Sequence, residues 1–218
     1  MSRYRKITAS ALWMLALMTA SPASAVVKHD ESIDGDISGN RLSPTQVSLA
    51  AGVNSVLATT ASGATNDLEY LRVDLPAGGQ LDAIILTDYE GFDLTAFIGV
   101  QSGTTFTFDA DDAFGNIPNL LGYAHFGPFS GVGYDDSDGL GGDFLQPMGE
   151  AGGAIGFTGS LSGSSYTFWL QQTGATSTYQ LDFVVSVVPE PASIGMMIVA
   201  GGSIIAATRH IRRREARQ

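Results

Sequence analysis

Apolar and polar residues alternate in short runs along most of this chain, and no window of about 11 residues carries the 3.6-residue apolar stripe of an amphipathic helix. Alternation with period two sends successive side chains to opposite faces of a strand. It predicts strands at Gln46–Leu49, Ser55–Thr60, Leu68–Asp74, Leu81–Asp88, Leu94–Gln101, Thr104–Phe108, Ser164–Gln172 and Thr178–Val185. Turn formers stand between them: Ala51-Gly52-Val53-Asn54, Pro76-Ala77-Gly78-Gly79, Gln101-Ser102-Gly103 and Thr173-Gly174. Short strands with such punctuation predict an all-β, antiparallel β-sandwich, its last two strands joined as a hairpin through residues 173 to 177. In the penultimate strand Tyr166, Phe168 and Leu170 share one face, so Trp169 falls on the other, either packed under a loop, the favoured reading, or partly exposed as an aromatic. The stretch from Asp109 to Gly163 breaks the pattern and holds eleven glycines between Gly131 and Gly163, which predicts an irregular, partly mobile insertion.

The two ends follow a different pattern. Arg3, Arg5 and Lys6 precede an apolar run through Met18, and Ala23-Ser24-Ala25 follows. A basic head, an apolar core too short to span a bilayer and a small-x-small exit make a secretory signal peptide, cleaved after Ala25 and read by the Sec export machinery. At the other end, Val188-Pro189-Glu190-Pro191 is followed by 17 uncharged residues, Ala192 to Thr208, and then by Arg209, Arg212, Arg213, Arg214 and Arg217. The prolines disfavour helix before Pro191. A helix of 17 residues spans about 25 Å, and flanking arginines can snorkel to cover the remaining depth. Arginine clusters stay on the cytoplasmic side, so everything before Pro189 is placed outside, in agreement with the signal peptide.

The order of Val188-Pro189-Glu190-Pro191, an apolar helix containing Gly201-Gly202, and the arginine end resembles the PEP-CTERM sorting signal of Gram-negative bacteria. The resemblance implies recognition in the membrane by exosortase, removal of the tail near the Pro-Glu-Pro motif, and delivery of the rest to the cell surface or the exopolysaccharide matrix. The expected organisation is a signal peptide over 1–25, a β-sandwich ectodomain over 26–187 and a sorting signal over 188–218. A permanent membrane anchor with the prolines as a stiff spacer is the alternative for the tail.

Charge and composition narrow the chemistry. Residues 26 to 188 hold 20 of the 22 acids but only Lys28, Arg41 and Arg72 as bases, a surface that repels phosphate backbones and argues against nucleic acid as a partner. With no cysteine there is neither a disulfide nor a thiolate metal site. Outside the tail the histidines are His29, expected on a fraying N-terminus, and His125, which has no Gly-x-Ser-x-Gly partner. Calcium is the candidate cation, since carboxylates on Gly-rich loops suit a hard ion. Three groups qualify: Asp34, Asp36 and Ser38, which open like a calcium loop but reach Thr45 where an EF-hand has Glu; Asp109, Asp111 and Asp112; and Asp135, Asp136 and Asp138. For each group taken alone, a solvated acidic surface that keeps an exported protein soluble is the favoured reading.

Asp67 through Gly78, with the closing Tyr166-to-Gln172 and Tyr179-to-Phe183 strands, resembles the bacterial pre-peptidase C-terminal domain. That resemblance implies a jelly-roll-like sandwich serving as an accessory module of secreted proteins. No nucleophile-base pair stands out, so the expectation is a non-enzymatic surface or matrix protein that binds polysaccharide or neighbouring proteins. A carboxylate-dependent glycosidase and a structural adhesin with no defined ligand remain as alternatives.

Overall fold

The computed structural model describes residues 24–61, 67–109, 117–129, 139–172 and 174–188. Among these residues ten strands and two short α-helices follow one another as β1 (Val26–Asp30), α1 (Glu31–Asp34), β2 (Thr45–Ser48), β3 (Gly52–Thr60), β4 (Leu68–Asp74), β5 (Gly79–Gly91), β6 (Ala96–Ser102), β7 (Gly122–Phe126), α2 (Leu145–Glu150), β8 (Leu161–Ser162), β9 (Ser165–Gln171) and β10 (Ser177–Val187), with one 3-10 turn at Ile117–Asn119 before β7. They form two five-stranded sheets, β1-β3-β10-β5-β8 and β2-β4-β9-β6-β7. The all-β sandwich expected from the alternation is present.

Both sheets are mixed, which corrects the expectation of a purely antiparallel fold. β1 runs parallel to β3, and β2 parallel to β4. The cause lies in the connections: apart from β6 and β7, consecutive strands stand in opposite sheets. Each crossing reverses the chain, and two crossings restore its direction, so neighbours separated by one strand of the other sheet run parallel. The link from β9 to β10 is such an arch. β9 pairs with β4 and β6, and β10 with β3 and β5, so the expected closing hairpin does not form.

The inward faces share one core. Leu71 and Val73 of β4, Phe168 and Leu170 of β9, and Tyr179, Leu181, Phe183 and Val185 of β10 are all buried in it. Phe168 meets Phe183 edge-on across the layer, with ring centroids 5.6 Å apart. Such burial contributes about 1.5–3 kcal/mol for each large apolar side chain. A second cluster lies on the outer face of the β2-β4-β9-β6-β7 sheet, where Tyr70, Phe106, Phe108, Leu120 and Trp169 pack together. Trp169 is on the outer face, as its phase in β9 implies, and it is packed under a loop rather than partly exposed, at only 2% exposure.

Thr104–Phe108 supplies that cover without being a strand. Its Thr-Phe alternation is a real signal of one buried face, but its backbone is satisfied differently: Phe106 N–H donates to the Arg41 carbonyl, Thr107 N–H donates to the Gln101 side chain, and the Arg41 guanidinium donates to the carbonyls of Phe106 and Thr107. The stretch after Asp109 is also more ordered than its glycines suggest. β7 extends the second sheet, and Phe126 stacks on Phe144 at 5.3 Å inside the main core beside Leu145 and Met148 of α2. Positions 110–116 and 130–138 of that stretch lie outside the described residues.

Candidate functional site

The strand directions give the sandwich two chemically different poles. At one pole β1, β3, β5 and β9 begin, and β2, β4, β6 and β10 end. Among the described residues, the turns and strand ends 49–53, 75–80, 102–105, 159–165 and 186–188 contain no charged side chain; the β6–β7 connection that starts and ends there passes through Asp109 and positions 110–116, the latter outside the described residues. Two carboxylates border it: Asp82 accepts from Ser160 Oγ at 2.6 Å, and Asp74 is covered, with Arg72 Nε 2.8 Å away and Gln46 and Ser165 each donating to it at 2.6 Å. Partial burial pushes Asp74 up, but these donors outweigh it and hold the group below its ordinary value.

The opposite pole is acidic. Asp30, Glu31, Asp34 and Asp36 surround α1, Asp67 and Glu69 open β4, and Asp88, Glu90 and Asp93 line the passage from β5 to β6, with no basic residue in those three segments. The centre of this pole is built on β4. Glu69 is in phase with Leu71 and Val73, so the alternation that buries those two carries Glu69 inward, where it is fully buried. Tyr179 donates a very short hydrogen bond to its Oε2, while its Oε1 has no hydrogen-bond partner. Burial raises Glu69 well above the usual carboxylate range, and the nearby charge of Glu31, with smaller contributions from Asp67 and Asp36, raises it further.

Glu31 closes this pocket of carboxyls from the first turn of α1. Its Oε1 accepts from Ile37 N–H at 2.9 Å and its Oε2 from Thr59 N–H at 2.6 Å, tying the α1 turn to the end of β3. Burial also raises Glu31 and Asp67, and the charge of Asp36 adds to both. The same surroundings, burial first and then Glu69, push the Tyr179 phenol well above its usual value. Chemically the arrangement favours the protonated form of Glu69. It does not offer an acid-base pair to a sugar, because Glu69 is sealed from solvent.

The residues singled out from sequence fall in several places. Asp30 caps α1, accepting from Ser32 N–H at 3.0 Å, and Asp34 Oδ2 turns back to accept Asp30 N–H at 2.9 Å. Ser38 Oγ donates to the Ser43 carbonyl at 2.7 Å, and Ser38 N–H donates to Thr45 Oγ1. Asp34 and Ser38 therefore bond within their own turns while Asp36 is exposed, and among the described residues no three His, Asp or Glu side chains gather to hold a metal. Asp109 is exposed at the end of its segment. Asp111, Asp112, Asp135, Asp136, Asp138, Ala23, Pro189, Glu190, Pro191 and the arginines at 209, 212, 213 and 214 lie outside the described residues. His29 is not on a frayed end; it is buried in β1, opposite Val56 of β3, with its Nε2 unbonded. His125 on β7 packs edge-on against Phe97 at 5.5 Å.

Val26 and Val188 both leave from the uncharged pole. β1 begins at Val26, directly after Ala25, and β10 ends at Val187, whose successor Val188 donates its N–H to the Gly78 carbonyl at 3.0 Å. Val26 and Phe183 both stand opposite Asn54 of β3, on either side of it. Two strand spacings of about 4.8 Å put the starting strand about 10 Å from β10. No family model matches this chain, and no curated protein or solved structure matches it. No helix among the described residues is long and apolar enough to cross a membrane; the apolar segment 192–208 lies outside them.

Proposed function

We propose that this chain is an exported β-sandwich, jelly-roll-like in type, that is held at the membrane by its C-terminal segment. Cleavage near Val188-Pro189-Glu190-Pro191 by an exosortase then passes it to the cell surface or exopolysaccharide matrix of a Gram-negative bacterium. There the sandwich acts without catalysis, by binding polysaccharide or other matrix components.

The observation that carries this reading is the coincidence of the folded body with the two processing positions. Its first strand begins at the residue after Ala25, its last ends one residue before Val188, and both leave from the same uncharged pole. A precursor with both ends in one membrane needs that geometry. β10 is also central in its sheet, so the sandwich is complete before the motif starts.

Epitope tags placed after Ala25 and after Gln218 in the producing bacterium test the sorting step. The N-terminal tag is expected at the surface or in the matrix, and the C-terminal tag only in the membrane fraction; both tags on one mature surface protein would refute it. Binding of matrix polysaccharide with no release of sugar is the expected behaviour of the purified ectodomain.

A further inference from the structure

We propose that the uncharged pole is a membrane-contact surface, seated on the phospholipid bilayer while the precursor is still attached, with the acidic pole directed away. This rests on the reading of residues 192–208 as a membrane span. Two independent features of the molecule lead to it.

The first is tether length. Backbone hydrogen bonding of the sandwich extends to Val188, and the apolar run starts at Ala192. Four peptide steps, fully extended, cover at most about 14 Å. β10 is 11 residues long and at about 3.4 Å per residue reaches about 37 Å from pole to pole. A body that long on so short a strap cannot turn its far end onto the surface it is attached to.

The second is the distribution of chemistry. Val26 (51% exposed), Val27 (58%), Val187 (41%) and Val188 (54%) present apolar surface at the exit pole, beside the small exposed residues Ala50, Ala51 and Ala77. Nine of the fifteen acids among the described residues lie at the other pole, which also exposes Ile33 (80%) and Phe92 (98%), so charge rather than apolar area separates the two ends. Bacterial membranes carry anionic lipid, and like charges repel over a Debye length of about 8 Å at physiological salt. The acidic pole is therefore disfavoured at the lipid surface, and the uncharged pole, with four exposed valines and only Asp74 and Asp82 held at its border by Ser165 and Ser160, brings less charge to it.

The chain contains no cysteine, so single cysteines report position without background. Ala77→Cys and Ala51→Cys mark the exit pole and Phe92→Cys, which replaces a residue 98% exposed, the acidic one. Each variant of the chain with its C-terminal segment is labelled with a fluorophore and reconstituted into phosphatidylethanolamine–phosphatidylglycerol vesicles carrying a headgroup nitroxide. The expected result is flotation with the vesicles, loss of most emission at positions 77 and 51, and retained emission at 92. Two exit-pole positions keep the test open if one variant misfolds. Flotation with equal quenching at all three sites, or stronger quenching at 92, overturns the contact surface alone. Failure to float overturns the membrane span and this surface with it.

Discussion

Glu69 shares a face of β4 with Leu71 and Val73, so the strand that builds the core also carries a carboxyl into it, beside Glu31, Asp36 and Asp67. The folded chain keeps a proton on Glu69 at pH values where the unfolded chain, titrating near 4.5, has released it. The native state thus binds more protons, and stability falls as the pH rises from about 4.5 through the folded value. Glu31 and Asp67 act in the same direction. Asp74 is opposite: held below 3.8, it contributes stability that is present above that value and lost as the pH falls through its folded value. Glu69→Gln keeps an acceptor for Tyr179 and removes the titration. Thermal melts should show it more stable than the parent at pH 8, by a few degrees for about 1 kcal/mol in a domain of this size, with the gap closing at pH 4. A destabilisation of equal size at both pH values would mean that Glu69 holds no proton. On the outer face, Trp169→Ala empties the centre of the second cluster and should cost about 3–5 kcal/mol in denaturant unfolding. A loss below about 1 kcal/mol would show that the cover over this sheet contributes little.

Among the elements, β10 decides whether the sandwich closes, because it lies between β3 and β5 at the centre of its sheet. A chain ending at Thr176 is expected to lose cooperative unfolding in calorimetry. One ending at Val188 is expected to melt within about 2 °C of the longer form, a difference worth less than about 1 kcal/mol. Close packing around α2 depends on glycine: a Cβ at Gly122 of β7 would run into the Met148 carbonyl, and one at Gly149 into the carbonyl of Phe157 in the loop that follows α2. Gly149→Ala should therefore lower stability by about 1–3 kcal/mol, measured by urea unfolding. These elements differ in how legible they are in the sequence. β4 is bounded by the alternation at Leu68 and Asp74 as observed, and β9 and β10 to within two residues, because one buried face leaves a period-two record. Partners leave no such record. A five-residue glycine-containing link serves an arch between sheets as well as a hairpin within one, so the crossing from β9 to β10 was not readable. β1, β7 and β8 are five residues or fewer, too short for periodicity to register. Thr104–Phe108 shows the converse, an alternation recording a buried face where no ladder forms. At the acidic pole Glu69 was readable in principle, since its phase with Leu71 and Val73 marks it as inward. The approach of Glu31 was not, because it depends on how the α1 turn folds back onto β3.

On the scale of the whole molecule, the two proposed processing positions flank a body whose strands run from Val26 to Val187. Strands that swap sheets bring the start of β1 and the end of β10 to one pole and gather the acids of α1, β4 and the β5–β6 passage at the other. In the proposed reading the acidic pole faces the matrix, where its charge would keep an exported protein dispersed, and the neutral pole faces the membrane. The claim on which this account depends is that the last thirty residues are a handle removed from a complete sandwich. The direct measurement is the intact mass of the protein recovered from the surface or matrix of the producing bacterium. The expected mass corresponds to a chain that begins at Val26 and ends close to the Pro189-Glu190-Pro191 motif. A mass that still includes Ala192 to Gln218 would contradict it.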